Sequence, residues 1–232
     1  MQSSQITTFT FFQFSSFKGK FWAFSQMGLA HSILKNIEGQ TFYKLMGSGR
    51  GEGFSFMPDF SIYVLMQVWE SILVAEDFLT NSSLIKNYNE HCENCHTVYS
   101  YNIASHGLWD GQSPFKKPET NSPSNGPIIV LTRATIKWSK MIRFWRYVPT
   151  SHNSLKQSKG LLYAKGVGEW PFRNMATISM WRDEEAMKNF AYSSKEHRKA
   201  IALTKELNWY KEELFARFEV FNATGDLQSL SR

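Results

Sequence analysis

Few residues in this chain stand in arrangements that do chemistry, and the most suggestive is a histidine. In Ser194 to Asn208, SKEHRKAIALTKELN, the residues His197, Ala200, Ile201 and Thr204 recur at intervals of three, four and seven. This spacing predicts a helix with the imidazole on its less charged stripe, and with Lys195, Arg198 and Lys199 largely outside it. Such a histidine reads either as a hydrogen-bonded packing residue or as a ligand. In the second case neutral Nε2 meets a haem iron, and Nδ1–H is anchored on a carbonyl or carboxylate.

The run Cys92-x-x-Cys95-His96 spells a covalent c-type haem attachment. Thioether attachment belongs to an oxidising, exported setting. Met1 to Phe14, apolar but broken by Gln, Ser and Thr and without a basic start, does not read as an export signal. The run is therefore taken as coincidence, and zinc is disfavoured because no second ligand pair stands at usable spacing. Two further residues are candidates for a distal pocket. His106, in SHGLWDG, is expected at a turn near Trp109. Arg133, in TRAT, is expected mid-strand, where pointing into a barrel it would offer a guanidinium to iron-bound oxygen. Glu52 and Glu169 occupy equivalent turns, which favours a shared structural role over catalysis.

The elements that must position these groups come in two sets. FYKLMGSGRGEG (42–53) is echoed by LLYAKGVGE (161–169), each an apolar run closing on a glycine turn that ends in Gly-Glu. A proline follows in each (Pro58, Pro171), then a β-rich run closing at Trp69 or Trp181, then a helical pattern over Glu70–Leu79 or Asp183–Phe190. Upstream, FWAFSQMGLA (21–30) and PIIVLTRATI (127–136) read as strands, leading to helical segments His31–Lys35 and Met141–Tyr147. Strand, helix, glycine turn, strand, helix, written twice, is an α+β pattern of two ferredoxin-like repeats. The expected repeats span residues 1–110 and 128–232, joined by a Pro/Gly/Ser/Asn-rich linker at 111–127. Each repeat presents one bare sheet face, and burying both together gives a pseudo-dimeric α/β barrel. Gly47, Gly49, Gly51 and Gly53 are expected at tight hairpin positions. They lack a Gly-Lys-Ser/Thr ending and lead to a strand, which argues against a phosphate cradle.

Composition narrows the classes. The chain has 232 residues, 42% hydrophobic and 16% aromatic, which excludes a disordered or collagenous protein. Charged residues are only 20%, leaving apolar aromatic surface for a core or an apolar ligand. The net charge of +6 is scattered. KGKFWAF (18–24) loosely matches RNA-binding sheets, but the second half has no counterpart, so no nucleic-acid partner is expected. No stretch reaches the apolar length that spans a bilayer, so the default expectation is a cytoplasmic protein.

Taken in order, FWAFSQMGLA (21–30), FYKLMGSGRGEGF (42–54), LTRATIKWSKMIRFWRYVP (131–149), KGVGEWP (165–171) and KEHRKAI…WYKEELFARF (195–218) resemble the spheroidene monooxygenase family. Those are haem-containing carotenoid ketolases of bacterial carotenoid pathways. The likeness runs from about Phe9 to Phe221. It implies haem b, molecular oxygen and a reductant such as reduced ferredoxin, with a keto group inserted into an acyclic carotenoid by successive hydroxylations at one carbon. It also implies His197 as the axial iron ligand, by analogy with haem α/β barrels that carry a proximal histidine on a helix of the second unit. Arg133 and His106 are then the candidate distal donors, and Cys92-x-x-Cys95-His96 has no place in the family pattern. A substrate that dissolves in bilayers is compatible with peripheral membrane contact, although no dedicated anchor is evident. The alternatives are another small α/β barrel oxygenase, cofactor-free or haem-degrading, and a non-enzymatic barrel that carries haem or a lipophilic ligand.

Overall fold

The computed structural model describes residues 4–51, 57–116, 126–147, 158–170, 172–193 and 207–225. The first half runs β1 (Ile6–Gln13), α1 (Phe17–Leu29), α2 (His31–Leu34), β2 (Gln40–Gly49), β3 (Pro58–Trp69), α3 (Ile72–Asn81), α4 (Ser83–His91) and β4 (Asn94–Gly107). The second runs β5 (Ile128–Ile136), a short 3-10 turn (Trp138–Lys140), α5 (Met141–Tyr147), β6 (Leu161–Trp170), β7 (Asn174–Trp181), α6 (Glu184–Ser193) and β8 (Tyr210–Thr224).

All eight strands pair antiparallel into one closed barrel in the order β1-β3-β2-β6-β7-β5-β8-β4. Each half contributes the same order, with its first strand between its third and fourth, which is the ferredoxin-like arrangement the duplicated pattern predicts. The two joints between halves differ. β4 and β8 pair from Thr97–Thr224 to Gly107–Leu214, whereas β2 and β6 meet only at Gly47–Gly168 and Ser48–Val167.

Period-two alternation sends one set of side chains inward. Phe9, Phe11, Met46, Val64, Met66, Ile129, Leu131, Ile178, Ala216 and Phe218 fill the barrel. Edge-to-face ring pairs lock them, Phe9 on Phe218 at 5.2 Å and Phe115 on Phe218 at 4.9 Å. The interior is a packed core. Phe115 belongs to the expected linker, so that segment is partly pinned to the barrel.

FWAFSQMGLA is not the opening strand. Ile6–Gln13 is, with Thr7–Phe12 buried on both faces, and residues 21–29 lie in α1. Ser16 decides this locally, its Oγ accepting the Gly19 N–H as an N-cap. Gly19 and Ala23 then form the helix's buried side. A Cβ at Gly19 would lie 2.9 Å from the His91 carbonyl, so glycine is what lets α1 seat against the end of α4. Of the glycine run, Gly47 and Gly49 lie within β2, Gly51 takes a positive φ of 74°, and Glu52 and Gly53 lie outside the described residues. Among the described residues, no helix is long and apolar enough to cross a membrane.

Candidate active site at the short seam

Because β2 and β6 pair over so few residues, the barrel wall opens on its outer side into a groove of about 350 Å³. Its floor is glycine from both halves, Gly47 and Gly49 facing Gly166 and Gly168, and no side chain rises from it. Its walls are apolar and mostly aromatic. α1 supplies Phe24 and Met27, β3 supplies Phe60 and Tyr63, α5 supplies Trp145, and Trp170, Phe172 and Met175 close the far side. Rings brace one another across the rim, Phe24 on Phe60 at 5.8 Å and Trp145 on Phe172 at 6.0 Å.

Polar groups are few and tied down. Ser48 Oγ donates to the Ile62 carbonyl at 2.8 Å. Lys165 Nζ donates to Asp59 at 2.8 Å, and Asp59 also accepts from the Ser61 N–H and hydroxyl. Burial opposes charge on Asp59, but these donors outweigh it and hold the carboxyl below its ordinary value. Burial first, and then the Asp59 charge, push the Tyr63 phenol up to about 12, so it stays neutral. The lining is predominantly apolar, and its two carboxylates, Asp59 and Glu169, are each held in an ion pair, with Lys165 and Lys44, which suits an apolar ligand.

The groove continues onto the outer face of the second sheet. There the first half packs large residues under its helices, among them Phe12, Leu45, Leu65 and Trp69 in one continuous cluster. The second half splits. Ile128, Val130 and Trp181 pack under α6, and Ile136, Phe144, Met175 and Trp209 pack beside α5. Between these clusters runs a register row of His106, Phe215, Thr132, Thr177 and Gly166, one residue from each of five strands. Ala134, Ala164 and Ser179 flank it. Thr132 is exposed in the middle of its sheet, as is the Phe215 ring. This row forms a trough of mostly small residues in which His106, Thr132 and Phe215 are exposed and Gly166, Ala134, Ala164 and Ser179 are buried.

The sequence candidates separate. His106 is exposed near the end of β4, in register with Phe215 on the trough's edge. Arg133 sits on the opposite face of β5, 1% exposed, at the mouth of the barrel interior. It donates to Glu212, lies 3.6 Å from Asp110 and covers the Trp109 ring at 5.3 Å. Glu212 further accepts the Asp110 and Gly111 N–H groups, while Glu169 accepts from Trp109 Nε1 at 3.0 Å and pairs with Lys44 at 2.6 Å. Arg133 and Glu169 thus belong to a polar plug that closes the barrel's end, and Arg133 is turned away from the trough. His197 lies outside the described residues.

The Cys92-x-x-Cys95-His96 run is pulled apart by strand geometry. Cys92 caps α4, whereas Cys95 and His96 are neighbours on β4 and so point to opposite faces. Cys95 packs against the first half's helices, and His96 is buried in register with Phe11. Burial, with a smaller contribution from Cys92, pushes the Cys95 thiol up to about 12, and burial also raises Cys92. These are structural thiols. Among the described residues, no group of three or more His, Cys, Asp or Glu is placed to hold a metal ion.

Sequence reasoning missed the groove, although its signal was present. The echoed glycine motifs read as hairpin turns, yet Gly47 and Gly168 are the partners that form the seam.

No protein-family model matches the chain. Curated relatives do. The spheroidene monooxygenase of Rhodobacter capsulatus is 32% identical over 221 residues, covering 95% of this chain and 92% of the relative. That of Cereibacter sphaeroides is 32% identical over 222 residues, covering 95% of this chain and 68% of the relative. That of Rubrivivax gelatinosus is 29% identical over 206 residues, covering 89% and 78%. Among solved structures, an aldoxime dehydratase superposes with a TM-score of 0.60 at 11% identity, covering 95% of this chain and 82% of that one, a likeness of fold alone. On the relatives' identity and coverage, the chain is a member of the spheroidene monooxygenase family of oxidoreductases.

Proposed function

We propose that the chain oxidises a carotenoid, with the polyene lying along the glycine-floored groove over the β2–β6 seam. The observation that carries this reading is the groove itself, apolar, aromatic-walled and open at its end. The family relationship supports a spheroidene-type acyclic substrate and a keto product formed by two hydroxylations at one carbon. Each hydroxylation consumes one O₂ and two electrons and returns the second oxygen atom as water. The doubly hydroxylated carbon then loses water to give the ketone. The electrons come from an external donor such as reduced ferredoxin.

Haem b is the proposed prosthetic group, and the trough beside the groove is where it would sit. His197, in the stretch between α6 and Leu207, is the residue that would hold its iron. Both ends of that stretch pack on the same outer face, α6 through Met187 and Leu207 beside Phe144 and Trp209. When bound, haem supplies the activation of O₂ that amino-acid side chains lack. The protein's own groups do the rest. Phe24, Phe60, Trp145 and Trp170 hold the chain in one line and exclude water, Gly166 and Gly168 let it approach the sheet backbone, and His106 stands at the trough's edge as a proton donor. A bilayer-dissolved substrate makes contact with a membrane part of the same reading.

The test is expression in a heterologous host that makes an acyclic carotenoid, with haem supplied. Keto products should accumulate, and the purified protein should show a Soret band that acid-acetone extracts and that His197→Ala abolishes. Unchanged pigment beside a normal Soret band would reject the substrate, and absence of the band would reject the prosthetic group.

A further inference from the structure

The mouth of the groove is framed by aromatic surface that the fold does not bury. On α1, Phe17, Phe21 and Phe24 follow one another at helical spacing and are 84%, 69% and 57% exposed. A helix on a globular protein ordinarily turns such a stripe inward. Here Gly19 and Ala23 face inward and the phenylalanines face out. Across the groove, Trp138 and Ile142 beside α5 are 65% and 81% exposed, and Phe60, Trp170 and Phe172 stand exposed between the two sides. Scattered apolar side chains need no explanation, but a set arranged around one apolar cavity does.

The exposed charges that α1 and α5 bring to this rim are cationic, while the groove's own carboxylates, Asp59 and Glu169, are tied to Lys165 and Lys44. From Ser16 to Ile37 there is no Asp or Glu, while Lys18, Lys20 and Lys35 are present. From Thr120 to Gly168 there is again none, against eight Lys and Arg that include Lys137, Lys140 and Arg143. Of those eight, Arg133 and Lys165 are buried in ion pairs, and the chain carries 20 acidic residues, so their absence from these two segments is a local feature.

We infer that this face docks on an anionic lipid bilayer, with Phe17, Phe21, Trp138 and Ile142 entering the interface and the cations meeting lipid headgroups. Exposed aromatics beside unpaired surface cations are what an interfacial binding face requires. The groove then opens toward the acyl chains, and an apolar molecule passes into it without crossing water. A second copy of the chain fits this face less well, because a two-fold contact would set cationic border against cationic border. The inference deepens the carotenoid reading. Vesicle binding is measured without substrate or haem, so each fails or stands separately.

The experiment is co-sedimentation of the full chain with vesicles of phosphatidylcholine, with and without phosphatidylglycerol. The protein should pellet with the anionic vesicles, less so at high salt. Phe17→Ser with Phe21→Ser should weaken partitioning by roughly tenfold or more. Lys18→Gln with Arg143→Gln should weaken it by about thirtyfold, on anionic vesicles only. Neither pair lines the groove, so both variants should keep the wild-type melting temperature and oxidise detergent-dispersed substrate normally. Equal binding to both vesicle types, binding to neither, or well-folded variants that pellet like wild type would overturn the inference. A concentration-dependent dimer abolished by the Phe17/Phe21 pair would also overturn it, assigning the face to a second copy.

Discussion

Gly47 and Gly168 face each other across the seam, yet a single methyl should affect them very differently. A Cβ built at Gly47 meets nothing nearer than Tyr63 Cε1 at 3.9 Å, an ordinary contact with a ring that can adjust. A Cβ at Gly168 would lie 2.5 Å from the Asn174 carbonyl oxygen, a backbone atom held in the β6–β7 ladder. Neither glycine takes a positive φ, so the difference is one of space alone. Gly47→Ala should fall within about 0.5 kcal/mol of wild type. Gly168→Ala must push two strands apart, at a cost of about 2 kcal/mol. For a chain of this length that is roughly a 4–8 °C drop in melting temperature. Thermal unfolding followed by circular dichroism on the two variants decides it. Equal melting temperatures, or a larger loss at Gly47, would refute the seam geometry on which the groove depends.

Three further outcomes follow from the same structure. Thr132→Trp, on the exposed trough, should leave the melting temperature near wild type and cut haem uptake, read from the Soret band. Asp59→Asn leaves the buried Lys165 ammonium without its partner and should cost about 2–3 kcal/mol at neutral pH, discounted because Asp59 is partly exposed. Asp59's carboxyl lies lower in the folded protein than in the unfolded chain, so its contribution is complete above its ordinary value of 3.8 and is lost as pH falls below it. The wild-type and variant stability curves should therefore converge at acid pH. Arg133→Met leaves Glu212 and Asp110 facing an apolar side chain and should lower stability by about 2–4 kcal/mol, measured by urea unfolding. Its haem spectrum should stay unchanged, whereas a distal role for Arg133 would alter it.

The duplicated architecture was legible because it rests on repetition. The echo of residues 42–53 in 161–169, each followed by a run closing on Trp, survives whatever any single element turns out to be. Element type was less secure. FWAFSQMGLA has the apolar density of a strand, and only the Ser16 cap and the tight seat of Gly19 on α4 reveal a helix. The Cys-x-x-Cys-His spelling misleads for a related reason, since a motif presupposes that its side chains share a face, and β4 alternates them. His106 and Arg133 were singled out together, but a strand's parity places Thr132, and not Arg133, on the face that His106 borders. The groove was unreadable in advance because it arises from where two distant strands stop pairing.

The most direct measurement is of keto-carotenoid formed by Gly47→Phe, whose ring would stand in the groove's floor. The variant should fold, bind haem with a wild-type Soret band, and make at least tenfold less product than Gly47→Ala in the same carotenoid-producing host. Undiminished product from a well-folded Gly47→Phe protein would contradict the claim that the polyene lies over this seam.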